Sequence, residues 1–104
     1  MVRYLQNLEE YNQALQDEKL VVIDFTASWC GPCRRIAPSF EAHEAVVAEY
    51  CTLLKVDVDE ASDVSEECGI TAMPTFIFFK GGQKLHTIQG ADWEAVKAKI
   101  EELK

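Results

Sequence analysis

Hydrophobic positions follow two periods along this chain, and each change of period marks an element. LVVIDF, residues 20–25, is apolar at nearly every position, as in a short strand covered on both faces. TLLKVDV, residues 52–58, repeats that pattern. Between them Ile36, Phe40, Val47 and Tyr50 recur at helical spacing, with Pro38 expected to kink the helix. Upstream, Val2 to Leu5 predicts an edge strand. Asn7 with Glu10 predicts a capped helix whose apolar face is Leu8, Tyr11 and Leu15. Ser62 to Cys68 predicts a short helix ended by Gly69. TFIFFK and QKLHTIQ around Gly81-Gly82 predict a hairpin. Asp92 predicts the cap of a last helix, with Trp93, Val96, Ile100 and Leu103 on one face.

The resulting order is β-α-β-α-β-α-β-β-α. Strands alternating with helices imply a parallel portion, and the hairpin adds an antiparallel edge. The expected class is therefore α/β, a mixed central sheet with helices on both faces. At 104 residues the chain forms one domain, residues 1–104. It carries no repeat, linker or low-complexity stretch.

Ten basic against eighteen acidic side chains give a net charge of −8. That balance excludes the basic footprint of a nucleic-acid binder and disfavours an anionic membrane surface. The acids concentrate in DVDEASDVSEE, residues 57–67, whereas Arg34 and Arg35 follow directly on a pair of cysteines. The N-terminal stretch lacks the pattern of a secretory signal, and no apolar run has the length of a membrane span. The expectation is a cytoplasmic protein, whose thiols stay mostly reduced.

The candidate chemistry lies in WCGPC, residues 29–33. Cys30 falls where a buried strand ends and a long helix begins. A helix N-terminus presents unpaired N–H groups and partial positive charge. A thiolate there gains up to about 2 kcal/mol. Cys33 lies three residues on, so both sulfurs share one helical face, and Pro32 fits a first turn that has no use for its missing N–H. These features point to thiol–disulfide exchange, with Cys30 attacking and Cys33 resolving. A zinc site would need a second ligand pair. Cys51 and Cys68 stand singly and His43 and His86 join no cluster, so no metal site is expected and both histidines read as surface residues. Asp24 interrupts a buried strand. Its residue type alone fits either a carboxyl with a raised pKa or a strand-end acid satisfying a turn.

DFTASWCGPC, KVDVDE, AMPTFIFFKGGQK and IQGA together resemble the thioredoxin family, particularly its cytosolic eukaryotic type, over essentially the whole chain. The resemblance implies the thioredoxin fold and a protein-disulfide reductase. It makes Cys30 the exposed nucleophile, Cys33 the shielded resolving thiol, and Cys30-Cys33 the redox-active disulfide. Gly31 and Pro32 become the dipeptide that keeps the pair reducing. Asp24 becomes a buried general acid/base and Lys55 the lysine that approaches it, a solvated strand-edge lysine being the competing reading. Pro74 becomes a cis-proline opposite the thiols. Met73 would pair with an extended substrate, while Trp29, Ala72, Gly90 and Ala91 complete a flat docking surface.

The same resemblance implies no bound cofactor. Reducing equivalents would come from NADPH through thioredoxin reductase, or from a small-molecule dithiol. Clients would include peroxiredoxin and ribonucleotide reductase. Ala72 stands where some relatives carry a thiol, and a monomer is expected. Arg34-Arg35 departs from the family's commoner Lys-Met or Lys-aliphatic pair and reads as solvated helix residues, two guanidiniums that favour acidic partners being the competing reading. Cys51 reads as a passive core residue; Cys68 does too, but it is the better candidate for a regulatory thiol. A reductase is distinguished from a redox-gated binding module by whether the thiols turn over. An oxidase or isomerase is disfavoured by Gly-Pro between the cysteines.

Overall fold

The structure is a computed structural model and describes residues 1–104. Five strands and four helices follow in the expected order: β1 (Arg3–Tyr4), α1 (Leu8–Ala14), β2 (Leu20–Thr26), α2 (Gly31–Val47), β3 (Cys51–Asp57), α3 (Ser62–Glu67), β4 (Thr75–Lys80), β5 (Gln83–Gln89) and α4 (Trp93–Leu103). The sheet runs β1-β3-β2-β4-β5. β1, β3 and β2 are parallel, and β4 and β5 join antiparallel. Gly81 and Gly82 have φ of 62° and 79°, the left-handed pair that a two-residue hairpin connection requires. The chain exposes 5577 Å², against about 17,000 Å² for an extended chain of this mass. One core of ordinary size suffices without staples.

Strand alternation divides that core. Leu20, Val22, Leu53, Phe76 and Phe78 face one side, where Ile36 and Phe40 of α2 and Val96 and Ile100 of α4 cover them. Val21, Ile23, Phe25, Ile77 and Phe79 face the other, against Tyr11 of α1 and Val64 of α3. With a side-chain period of two, Asp24 belongs to the face of Leu20 and Val22. Lys55, its register partner on β3, belongs to the same face through Leu53. Both therefore point toward α2. No helix is long and apolar enough to cross a membrane.

The caps form largely as the residue types dictate. Asn7 accepts from the Glu10 N–H at 2.9 Å and Asp92 from the Ala95 N–H at 3.1 Å. The Glu10 carboxylate reaches back one residue beyond the cap, to the Gln6 N–H. Gly69 ends α3 with paired bonds, its own N–H to the Glu66 carbonyl and the Ile70 N–H to that of Ser65. α2 runs without interruption through Pro38 but stops at Val47. Tyr50 thus lies outside the helix its spacing suggested: the chain must turn there to enter β3, and Tyr50 instead bonds Glu101 of α4 at 2.8 Å. The surface reading of His43 also needs correcting. Its ring packs edge-on against Trp93 at 5.0 Å. Its Nε2 is buried without a partner, and burial pulls its pKa down.

Candidate active site

Cys30 is the N-cap of α2, with extended backbone (φ −87°, ψ 111°). That conformation aims its side chain at the open first turn, and Sγ accepts the Cys33 N–H at 3.2 Å. The Arg34 N–H meanwhile bonds the Cys30 carbonyl at 3.1 Å. Gly31 opens the helix and Pro32 follows at its second position, and no acid in the first turn offsets the positive end. Cys30 and Cys33 are joined in a disulfide, with Cα atoms 5.2 Å apart. The same turn therefore supplies both a hydrogen-bond donor for the first sulfur and bonding reach for the second.

The expectation of an exposed nucleophile needs correction, because Cys30 is only 6% exposed and Cys33 2%. Ala27 and the half-buried Met73 pack around the pair, and Cys30 Sγ lies 3.7 Å from the Met73 carbonyl oxygen. What solvent meets is Trp29, 63% exposed, whose indole N–H donates to Asp59 at 2.9 Å. The Met73-Pro74 peptide bond is cis, and the Pro74 ring itself is buried. Ala72 and Ala91 are exposed and Gly90 half-buried. Two bonds hold these loops beside the thiols: the Gly90 N–H to the Pro74 carbonyl at 2.8 Å and the Thr75 hydroxyl to the Ala72 carbonyl at 2.6 Å.

Asp24 is 1% exposed, and its Oδ1 has no hydrogen-bond partner. Burial raises its pKa from 3.8 to about 7, against the opposing pull of Lys55, with Glu41 adding to the rise. The reading of Lys55 as a solvated strand-edge residue does not hold. β3 is interior, between β1 and β2, and Lys55 is 5% exposed. Its ammonium pairs with Glu41 of α2 at 2.9 Å. Burial alone would lower its pKa, but the Glu41 hydrogen bond and the neighbouring Tyr4, Glu41 and Asp24 outweigh that and raise it. A surface cavity of about 220 Å³ has Cys33, Arg34, Ala37, Lys55 and Asp57 among the residues of its wall, so the resolving cysteine and the lysine border one opening although both are buried.

Two contributors escaped the sequence reading. Glu41 follows Phe40 on a helix, where an acid normally marks the solvent face, and only the Lys55 pairing reveals it. Asp59 sat within the acidic run that was noted, but nothing local connected it to Trp29. The other cysteines are elsewhere. Cys51 is buried in the core, and burial pushes its thiol up to about 12. Cys68 is half-buried after α3; burial raises its pKa while a Tyr11 hydrogen bond works against that. No group of three or more His, Cys, Asp or Glu is placed to hold a metal ion.

Comparison with known proteins agrees with this geometry. The family model described as Thioredoxin matches residues 2–102. The thioredoxin of Ictalurus punctatus is 47% identical over 107 residues, covering 100% of both chains. The structure of Plasmodium falciparum thioredoxin superposes with a TM-score of 0.93 at 40% identity, covering 99% of this chain and 100% of that one. A chain solved in work on how the yeast mitochondrial 1-Cys peroxiredoxin is resolved via glutathione/thioredoxin systems is 36% identical. It matches with a TM-score of 0.92 over 98% of this chain and 95% of its own.

Proposed function

The chain belongs to the thioredoxin family, and from that premise we propose how its thiols carry out the family's disulfide exchange. The protein is a disulfide oxidoreductase working by exchange at Cys30 and Cys33. One observation carries the assignment of roles: the Cys30 sulfur receives a helix N-terminal N–H while Cys33 stands within bonding reach. A carboxylate or thiolate in that place is stabilised by the same donors.

Reduced Cys30 attacks one sulfur of a client disulfide. A Cys30–client bond forms, the client's own S–S bond breaks, and the departing sulfur leaves as a thiolate and takes a proton. Cys33 gives its proton to the Asp24 carboxylate and attacks Cys30 Sγ. The mixed disulfide breaks, the second client thiolate leaves and takes the proton held by Asp24, and Cys30–Cys33 closes. The client gains two electrons and two protons, and the protein loses them. With a pKa of about 7, Asp24 is available in both forms near neutrality, as a proton carrier must be. Lys55, held by Glu41, tunes that carboxyl. Gly31 and Pro32 keep the first turn tight enough for the pair to close.

Docking falls to Trp29, Ala72, Met73, Pro74, Gly90 and Ala91, with the Met73 backbone as the strand-pairing edge. The protein works as a monomer in the cytoplasm and carries electrons from NADPH by way of thioredoxin reductase, or from a small-molecule dithiol. A peroxiredoxin client is supported by the peroxiredoxin work that yielded one structural relative, and ribonucleotide reductase by family membership. The comparisons do not favour a binding module without turnover. Insulin reduction with excess dithiothreitol tests the reading. Catalysed precipitation well above the dithiothreitol rate is expected, and no acceleration would reject it.

A further inference from the structure

Arg34 and Arg35 are exposed, directly follow Cys33 in the chain, and form no ion pair with an acid of this chain. Side chains on a helix tilt toward its N-terminus, so residues four and five places past the cap lean back over the first turn. The structure shows both doing so. Arg34 Nη1 donates to the Ser28 carbonyl at 3.0 Å, in the loop before Trp29. Arg35 Nη1 lies 3.7 Å from where a Cβ on Gly31 would stand, beside Cys30. Two cations near a helix's positive end gain nothing from the dipole, and in a chain of net charge −8 carboxylates to pair with them are plentiful. Apart from the Arg34–Ser28 bond, their guanidinium donors make no hydrogen bond within the chain and face solvent over the first turn of α2. Around Trp29 the sign reverses, because Asp59 holds the indole.

We propose that Arg34 and Arg35 form an anion-recognising rim that selects protein clients with carboxylates beside the disulfide to be reduced. Planar guanidiniums suit this task because they bind carboxylates with paired donors. The proposal rests on the exchange reading above and names the client chemistry that site prefers. Global charge works in the opposite direction, since a chain of −8 repels acidic peptides. A preference for them therefore requires local recognition.

The test uses two peptides with one intramolecular disulfide each, flanked by Glu-Glu in one and Gln-Gln in the other. The readout is the ratio of their second-order rate constants for oxidising the reduced protein. An exposed ion pair is worth at most about fivefold, so the expected ratio at low ionic strength is about five in favour of Glu-Glu. It should fall toward one as salt shortens the screening length. Arg35→Glu should invert the preference, a result that misfolding cannot imitate, and any general loss of rate cancels in the ratio. The control, Lys80→Gln with Lys84→Gln, removes two charges beside the hairpin turn. That turn is about 17 Å along β4 from the site at 3.3 Å per residue, and the ratio should not move. A ratio at or below one in the unmodified protein, or an equal loss in the lysine control, overturns the proposal. Failure of even the Gln-Gln peptide to oxidise the protein would overturn the exchange reading instead.

Discussion

Cys30 and Cys51 are nearly equally buried, at 6% and 2% exposure, yet their surroundings prepare them for opposite fates. Cys51 opens a strand within the apolar cluster that backs α2 and α4. Burial there disfavours the anion, and its thiol is pushed up to about 12. Cys30 is withdrawn from solvent as well, but a backbone N–H is aimed at its sulfur and a second thiol stands in reach. What separates the two sites is therefore the donor at the helix terminus and the second sulfur in reach, not exposure. Cys68 falls between the two. It is half-buried beside the Tyr11 hydroxyl, with burial still raising its pKa.

The sharpest way to break this comparison is to remove the sulfurs one at a time. Cys30→Ser should lower insulin reduction to the dithiothreitol background, a loss of at least about a hundredfold on the scale of removing a nucleophile. Cys33→Ser should lose turnover too but hold clients covalently through Cys30, visible as adducts in non-reducing gels. Cys51→Ala should leave turnover within about twofold and cost about 1 kcal/mol in urea unfolding, the scale of a small cavity. A Cys51→Ala protein as inactive as Cys30→Ser would erase the distinction.

A smaller effect sharpens the same contrast through Asp24. Its carboxyl titrates near 7 when folded and near 3.8 in its ordinary state. The folded protein thus binds the proton more tightly. That contribution to stability is full below about pH 4 and is lost as pH rises through 7. Three pH units correspond to roughly 4 kcal/mol, so Asp24→Asn should be more stable than the parent by up to that amount at pH 8.5. At pH 4 the two should agree. Urea midpoints at both pH values check it, and equal differences at the two would show that the carboxyl titrates normally.

The placement of Cys30 was readable because two periodicities flank it: the apolar strand run ends at Phe25 and helical spacing begins at Ile36. Gly81-Gly82 and Asp92 were readable because each needs only local chemistry. Glu41, Asp59 and the packing of His43 were not, since each depends on a partner distant in sequence and carries a residue type that suits the surface equally well. Lys55 stood between these cases. Its strand was evident, but its burial follows from Glu41 of α2 and Tyr4 of β1 closing over it, which no local pattern reveals. The exposure of Cys30 that the resemblance implied does not hold, because the cap position supplies its donors under cover of Met73 and Ala27.

The most direct measurement follows alkylation of the fully reduced protein by iodoacetamide as a function of pH, resolving each cysteine by mass spectrometry. Cys30 should reach half its maximal rate at least about one pH unit below a free cysteine peptide, by the stabilisation that a helix terminus gives a thiolate, while Cys51 stays unmodified throughout. Cys30 titrating together with the free peptide, or Cys51 reacting alongside it, would contradict the account.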